Sequence, residues 1–118
     1  MPQYVVMFPA DDEQEWSAGT AADHQRTYDT DAEFVAALRA RGGAVTGGAA
    51  LAASGMARTL RRGPDARPLV TDGPFSETVE QLSGFYLVAC DRYDDLVTAA
   101  EVLVRAHPVV EIRPVEED

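Results

Sequence analysis

The stretch Gly84-Phe85-Tyr86-Leu87-Val88-Ala89-Cys90-Asp91-Arg92-Tyr93-Asp94-Asp95-Leu96-Val97-Thr98-Ala99-Ala100-Glu101-Val102-Leu103-Val104-Arg105-Ala106-His107-Pro108-Val109-Val110-Glu111-Ile112-Arg113 decides the fold. Its first seven residues are the most hydrophobic run in the chain and read as a central strand. Asp91 is then an N-cap, and Leu96, Ala99, Ala100, Leu103 and His107 recur at helical spacing. Pro108 stops that helix, and Val109 to Arg113 forms a last strand before Pro114. Strand, helix and strand in this order make one β-α-β unit.

A second unit precedes it. Tyr4-Val5-Val6-Met7-Phe8 is β-rich and ends at Pro9. Residues 9–19 are acidic, carry the only tryptophan, Trp16, and read as a loop over the domain. Thr20 and Asp23 form a capping box with Asp in place of Glu. The helix it opens runs to about Arg41, where Gly42-Gly43 end it, and its apolar face passes through Tyr28, Phe34, Val35 and Leu38. Thr30 and Glu33 allow a later start. Ala44 to Leu51 is a small-residue strand, and its Gly47-Gly48 marks a bulge or a close backbone approach. Between the two units, Ala57 to Arg62 and Arg67 to Thr71 flank Gly63-Pro64-Asp65, a hairpin signal.

Two β-α-β units around an antiparallel sheet, with a hairpin between them, predict an α+β, ferredoxin-like sandwich with both helices on one face. The 118 residues are the size of a single domain, 1–118. No segment remains to cover the other face of the sheet, so a C2 homodimer is expected.

Composition narrows the function classes. Twenty acids against ten bases give a net charge of −10, and every base is an arginine. Such a chain repels phosphate backbones, which argues against nucleic acid as a partner. No apolar run approaches the roughly 20 residues of a membrane helix, and the start has no signal-like pattern, so no membrane partner is expected and the cytoplasm is the default. The lone Cys90 excludes an internal disulfide and reads as a buried thiol. Two distant histidines and one cysteine give no metal-ligand spacing, and no nucleotide-binding motif occurs, so neither metal nor cofactor is expected.

The run Leu69-Val70-Thr71-Asp72-Gly73-Pro74-Phe75-Ser76-Glu77-Thr78-Val79-Glu80-Gln81-Leu82-Ser83-Gly84-Phe85-Tyr86-Leu87-Val88 resembles the DGPF signature of YCII-related proteins. Val110-Glu111-Ile112-Arg113-Pro114-Val115 resembles the family's closing strand, and the opening and Gly-rich strands fit as well. The resemblance implies a ferredoxin-like fold and a dimeric α+β barrel. It also implies a candidate His–Asp pair in a cleft, with no settled reaction. Three residues before Phe34, where relatives often carry Tyr or His, this chain has Asp31, and His24 lies two turns upstream.

His24, Tyr28, Asp31, Val35 and Leu38 fall within roughly 80° of arc at about 100° per residue. Asp31 therefore sits amid an apolar stripe. There a carboxylate needs a partner or takes up a proton, which marks an acid–base site. Alternatively, Asp31 pairs with an arginine or caps a shorter helix. Asp72-Gly73-Pro74-Phe75 has turn chemistry: Asp72 bonds its own backbone and Phe75 anchors the turn in the core, or the motif presents the Asp72 carboxylate at a cleft mouth. His107 reads as a helix C-terminal histidine favourable to the dipole. Arg58, Arg61 and Arg62 protect an edge strand or form an anion site.

Two functions remain open. One is a cofactor-independent isomerase or lyase in which Asp31, His24 and Asp72 transfer protons, with Tyr28 and Phe75 against a small-molecule ligand. The other is a non-catalytic dimeric binding or regulatory module, working with a transcription-related partner.

Overall fold

The computed structural model describes residues 1–117 and contains a four-stranded antiparallel sheet in a mixed α/β arrangement. Strand β1 (Gln3–Met7) is central, and β2 (Asp11–Asp12) is a two-residue strand. Helix α1 (Glu13–Ala18) and helix α2 (Ala21–Ala40) follow. Then come β3 (Ala44–Ala50), β4 (Arg58–Arg62), β5 (Pro68–Asp72), β6 (Glu80–Gln81), β7 (Gly84–Ala89), helix α3 (Tyr93–Ala100) and β8 (Glu111–Pro114). The main sheet has the order β3-β7-β1-β8, while β2 pairs with β6 and β4 with β5 in two separate ribbons.

Alternation along the strands sets the two faces of the sheet. Tyr4, Val6 and Phe8 point into the core, as does Val88, and they meet Phe34 and Leu38 of α2 and Leu96, Ala99 and Leu103 from the α3 segment. Cys90 is buried in the same cluster. Burying each such side chain contributes about 1.5–3 kcal/mol, so this cluster dominates the stability of the fold.

Several expectations meet the structure directly. The Thr20 capping box is formed: Asp23 N–H donates to Thr20 Oγ1 at 3.2 Å, and Thr20 N–H donates to Asp23 Oδ2 at 2.8 Å. The Thr20 backbone N–H and then the Thr20 hydroxyl, both acting on the Asp23 carboxyl, hold it below its usual range. The start near Thr30 is not used, because Thr30 lies inside α2 with its hydroxyl on the Arg26 carbonyl. At Gly47-Gly48 the β3–β7 register shifts, and Gly48 has φ +136. A Cβ at Gly48 would lie 2.4 Å from the Phe85 carbonyl oxygen, so the expected bulge and the expected close approach are one feature.

Other expectations are corrected. Residues 9–19 are not simply loop: Asp12 Oδ1 accepts from Gln14 N–H and Glu15 N–H and opens α1, which carries Trp16. Asp91 is not the cap of α3. Arg92 holds that position without a side-chain bond. The α-helix ends at Ala100, and Glu101–Arg105 continue as a 3-10 turn. The tighter turn rotates the residues after it relative to an ideal α-helical stripe, which fixes where His107 points.

Candidate functional site

His107 is the only buried polar or charged residue among the described residues, at 5% exposure. Its Nδ1 lies 2.8 Å from Asp11 Oδ2 and its Nε2 lies 3.1 Å from Asp31 Oδ1. Carboxylates only accept, so both ring nitrogens donate and the ring is an imidazolium. Burial alone would lower its pKa. The hydrogen bonds and charges of Asp11 and Asp31 outweigh that and raise it from 6.5 to about 9. Phe8 stacks on the ring, with centroids 3.7 Å apart and planes 13° apart. A phenyl face against a cation adds to the same preference for charge.

Each carboxylate has a second anchor. Ser83 Oγ donates to Asp11 Oδ2 at 2.5 Å, and Tyr86 Oη donates to Asp31 Oδ2 at 2.9 Å. Burial pushes the Tyr86 phenol up, and the adjacent Asp31 charge and hydrogen bond push it further. Asp11 Oδ1 is the one buried side-chain oxygen without a protein partner among the described residues. A buried acceptor left unpaired costs about 1–3 kcal/mol, so this oxygen calls for a donor from water or from a molecule in the cleft.

The chain brings these groups together through local structure. The β2–β6 pairing sets Asp11 opposite Gln81, and Ser83 N–H donates to the Phe8 carbonyl at 3.1 Å. The segment after Asp72-Gly73-Pro74-Phe75 thus clips Asp11 over the sheet. Asp31 comes from the face of α2, Tyr86 from the core side of β7, and His107 from the end of the 3-10 turn, where its N–H donates to the Leu103 carbonyl at 2.9 Å. The groups line one broad cleft of about 1330 Å³ between the first part of α2, α1 and β3.

The expected site residues divide. Asp31 sits in the cluster. It neither pairs with an arginine nor caps a helix, since its partners are His107 and Tyr86. Tyr28 and His24 line the cleft, but His24 is turned toward Trp16: its ring stacks on the indole at 3.9 Å and its Nε2 lies 2.8 Å from the Trp16 carbonyl oxygen. Tyr28 does not bridge His24 to Asp31; its ring meets the Trp16 edge. Asp72 and Phe75 are outside the cleft lining. The Asp72 side chain, 94% exposed, faces Arg58 at 3.8 Å across the β4–β5 ribbon. Phe75 is 76% exposed and does not anchor the turn in the core; Arg61 lies over its ring at 4.9 Å. Helix geometry explains the His24 outcome, since two turns separate it from Asp31 along α2.

Reading His107 as a dipole-favoured helix end is also corrected, because its ring points inward to two carboxylates. The signal for it was available: His107 stood on the same inner stripe as Leu96 and Leu103, an ionisable group where apolar ones belong. Asp11 carried no such signal, being one acid in an acidic segment and 96 residues away from His107. No cluster of three or more His, Cys, Asp or Glu suited to a metal ion occurs among the described residues.

The YCII-related domain matches residues 3–117. An uncharacterised protein of Rhizobium meliloti (strain 1021) is 44% identical over 61 residues, which are 49% of this chain and 48% of that protein. The chain therefore matches about half the length of this relative. With the family match running through β1, the cleft and β8, the chain belongs to the YCII-related domain family.

Proposed function

We propose that the cleft is an acid–base site for a small molecule, working without a cofactor as an isomerase or lyase does. The observation that carries this is the buried His107 held between Asp11 and Asp31 at the cleft wall. We assign Asp31 as the proton acceptor: it stands on α2 in the cleft lining, and each of its oxygens keeps a spare lone pair beyond its one hydrogen bond. It takes a proton from a substrate carbon and returns it to another carbon, or to a leaving group. His107 keeps its own proton, hydrogen-bonds both carboxylates and fixes Asp31 in line. His24 and Tyr28 shape the opposite end of the cleft, and Asp72 with Phe75 stand outside its lining.

The test uses deuterium. The protein is incubated in D2O with a small-molecule extract, and compounds that change or gain deuterium are followed by mass spectrometry. Compounds altered by the wild type and left unaltered by folded Asp31→Asn and His107→Asn variants support the reading. Undiminished conversion by Asp31→Asn, or no altered compound at all, rejects it.

The assembly belongs to the same proposal. The order β3-β7-β1-β8 with the helices packed on one face supports a ferredoxin-like sandwich. The other face offers Val5, Met7, Phe85 and the half-exposed Leu87. The radius of gyration is 16.4 Å, against about 13.5 Å for a compact chain of this length. An extended protomer with an uncovered apolar face supports a homodimer of the dimeric α+β barrel kind. Sedimentation that finds a folded single protomer at micromolar concentration rejects it.

A second reading, a non-catalytic binding module, draws on the exposed Leu60, Leu69, Val70 and Phe75 on and beside the β4–β5 ribbon. A measured turnover that survives deletion of that ribbon decides against it.

A further inference from the structure

The first half of α2 and the end of β3 both line the cleft, and the strand end contributes Gly48, Ala49 and Ala50. These residues bring almost no side-chain bulk to that part of the cleft. On the helical side stand two large aromatic rings that the core does not use. Trp16 is 42% exposed and Tyr28 is 55% exposed, and both line the cleft. Aromatic rings left in water on a concave wall are a binding surface in waiting.

The rings are also held in place. His24 stacks on one face of Trp16, and Tyr28 meets its edge at 6.0 Å and 70°. The short helix that carries Trp16 is tied to the β3–β4 connection, since Ser54 N–H and Ser54 Oγ donate to the two oxygens of Glu13 at 2.6 and 2.7 Å. A shelf fixed in advance loses little conformational freedom on binding.

Charge sets the second condition. At the reacting end, one imidazolium faces two carboxylates, so the centre carries a net negative charge. The two arginines of the lining are already engaged, Arg26 with Asp23 and Arg105 with Glu33. An anionic group entering the cleft would meet repulsion and find no uncommitted cation among the described lining residues.

We propose that the substrate class of this cleft is a flat, ring-bearing small molecule without negative charge, lying in the corner that the steeply inclined Trp16 and Tyr28 rings form, with its reacting end at Asp31. The proposal rests on the reading of the cleft as a site, and it adds ring stacking and charge as what selects the ligand. Trp16 makes this measurable: it is the only tryptophan, so its indole N–H gives one resonance.

The experiment titrates the full-length 15N-labelled protein with four probes: benzamide, benzamidinium, benzoate and cyclohexanecarboxamide. Benzamide and benzamidinium are expected to shift the Trp16 indole resonance and the Asp31 amide. Benzoate should bind about tenfold or more weakly, as one repelled charge at partly solvated distances implies. Cyclohexanecarboxamide, which is not flat, should also bind more weakly than benzamide. Trp16→Ala should abolish the Asp31 response to benzamide, and Trp16→Phe should keep most of it. Should Trp16→Ala fail to fold, Tyr28→Ala takes its place, with weaker benzamide binding expected. Benzoate binding as tightly as benzamide, or no probe moving Trp16 at millimolar concentration, overturns the proposal. The readout is binding alone, so that failure leaves the deuterium test of acid–base chemistry standing.

Discussion

Raising the pH should weaken the fold in a window set by His107. The ring is 5% exposed and donates to two carboxylates, which move its pKa from 6.5 to about 9. A group whose folded pKa is raised contributes stability that is full below its unfolded pKa and is lost as the pH climbs through the folded one. The window is therefore pH 6.5 to about 9. At 1.36 kcal/mol per pKa unit, the contribution is about 3 kcal/mol, a large share of the 5–15 kcal/mol typical of a domain. With a urea slope of about 1.5 kcal/mol/M, the unfolding midpoint should fall by roughly 2 M across that window. Urea denaturation at steps of pH measures the midpoint, and 15N shifts of the imidazole measure the titration directly. Asp31→Asn removes one of the two charges and one of the raising bonds, so its midpoint should vary less with pH and its ring should titrate lower. A wild-type ring titrating near 6.5, or a midpoint that is flat through the window, would refute the clamp and with it the fixed-cation role of His107.

Three further outcomes are expected. Gly48→Ala should cost about 2 kcal/mol or more, since φ +136 and a 2.4 Å approach to the Phe85 carbonyl oxygen leave no place for a Cβ; thermal unfolding of the variant checks it. Leu103→Ala should cost about 2–5 kcal/mol, because Leu103 is fully buried beside the turn that aims His107, and the His107 ring resonance should move as well. Ser83→Ala removes one of the two donors on Asp11 Oδ2 and should cost about 1 kcal/mol; denaturant unfolding measures it, and a change well under that size would mean the contact carries no weight.

The sheet, both long helical segments and the bulge were legible because each rests on local chemistry. A capping box at Thr20, glycines after Arg41, the β-rich and hydrophobic runs Tyr4–Phe8 and Gly84–Cys90, and the Gly47-Gly48 pair all act within a few residues. The site was half legible. Asp31 stood out because a carboxylate on an apolar stripe breaks the pattern of α2. Its partner could not be read, since His107 is 76 residues away and its direction depends on the change from α-helix to 3-10 turn after Ala100. His24 offered the nearer histidine in sequence, but its stack on Trp16 arises from the helix α1, and an acidic segment with one tryptophan gave no periodicity from which to infer that helix. Asp72 and Phe75 drew attention as turn residues, and turn chemistry says where the chain bends without saying what the bend faces.

The β4–β5 ribbon bonds as strands only to itself, and its turn places Asp65 at φ 58 and Ala66 at φ 60. A two-stranded ribbon without a third strand is marginally stable in water. Its amides should therefore exchange with solvent long before those of β1 and β7, as a small unit that opens without disturbing the sheet. Proteases should nick the chain there first, and loop insertions at Gly63–Ala66 should be borne with little change in melting temperature. Because Asp11 is clipped by residues 80–83 on the far side of this ribbon, a cut within it should leave the imidazolium and its two carboxylates in register.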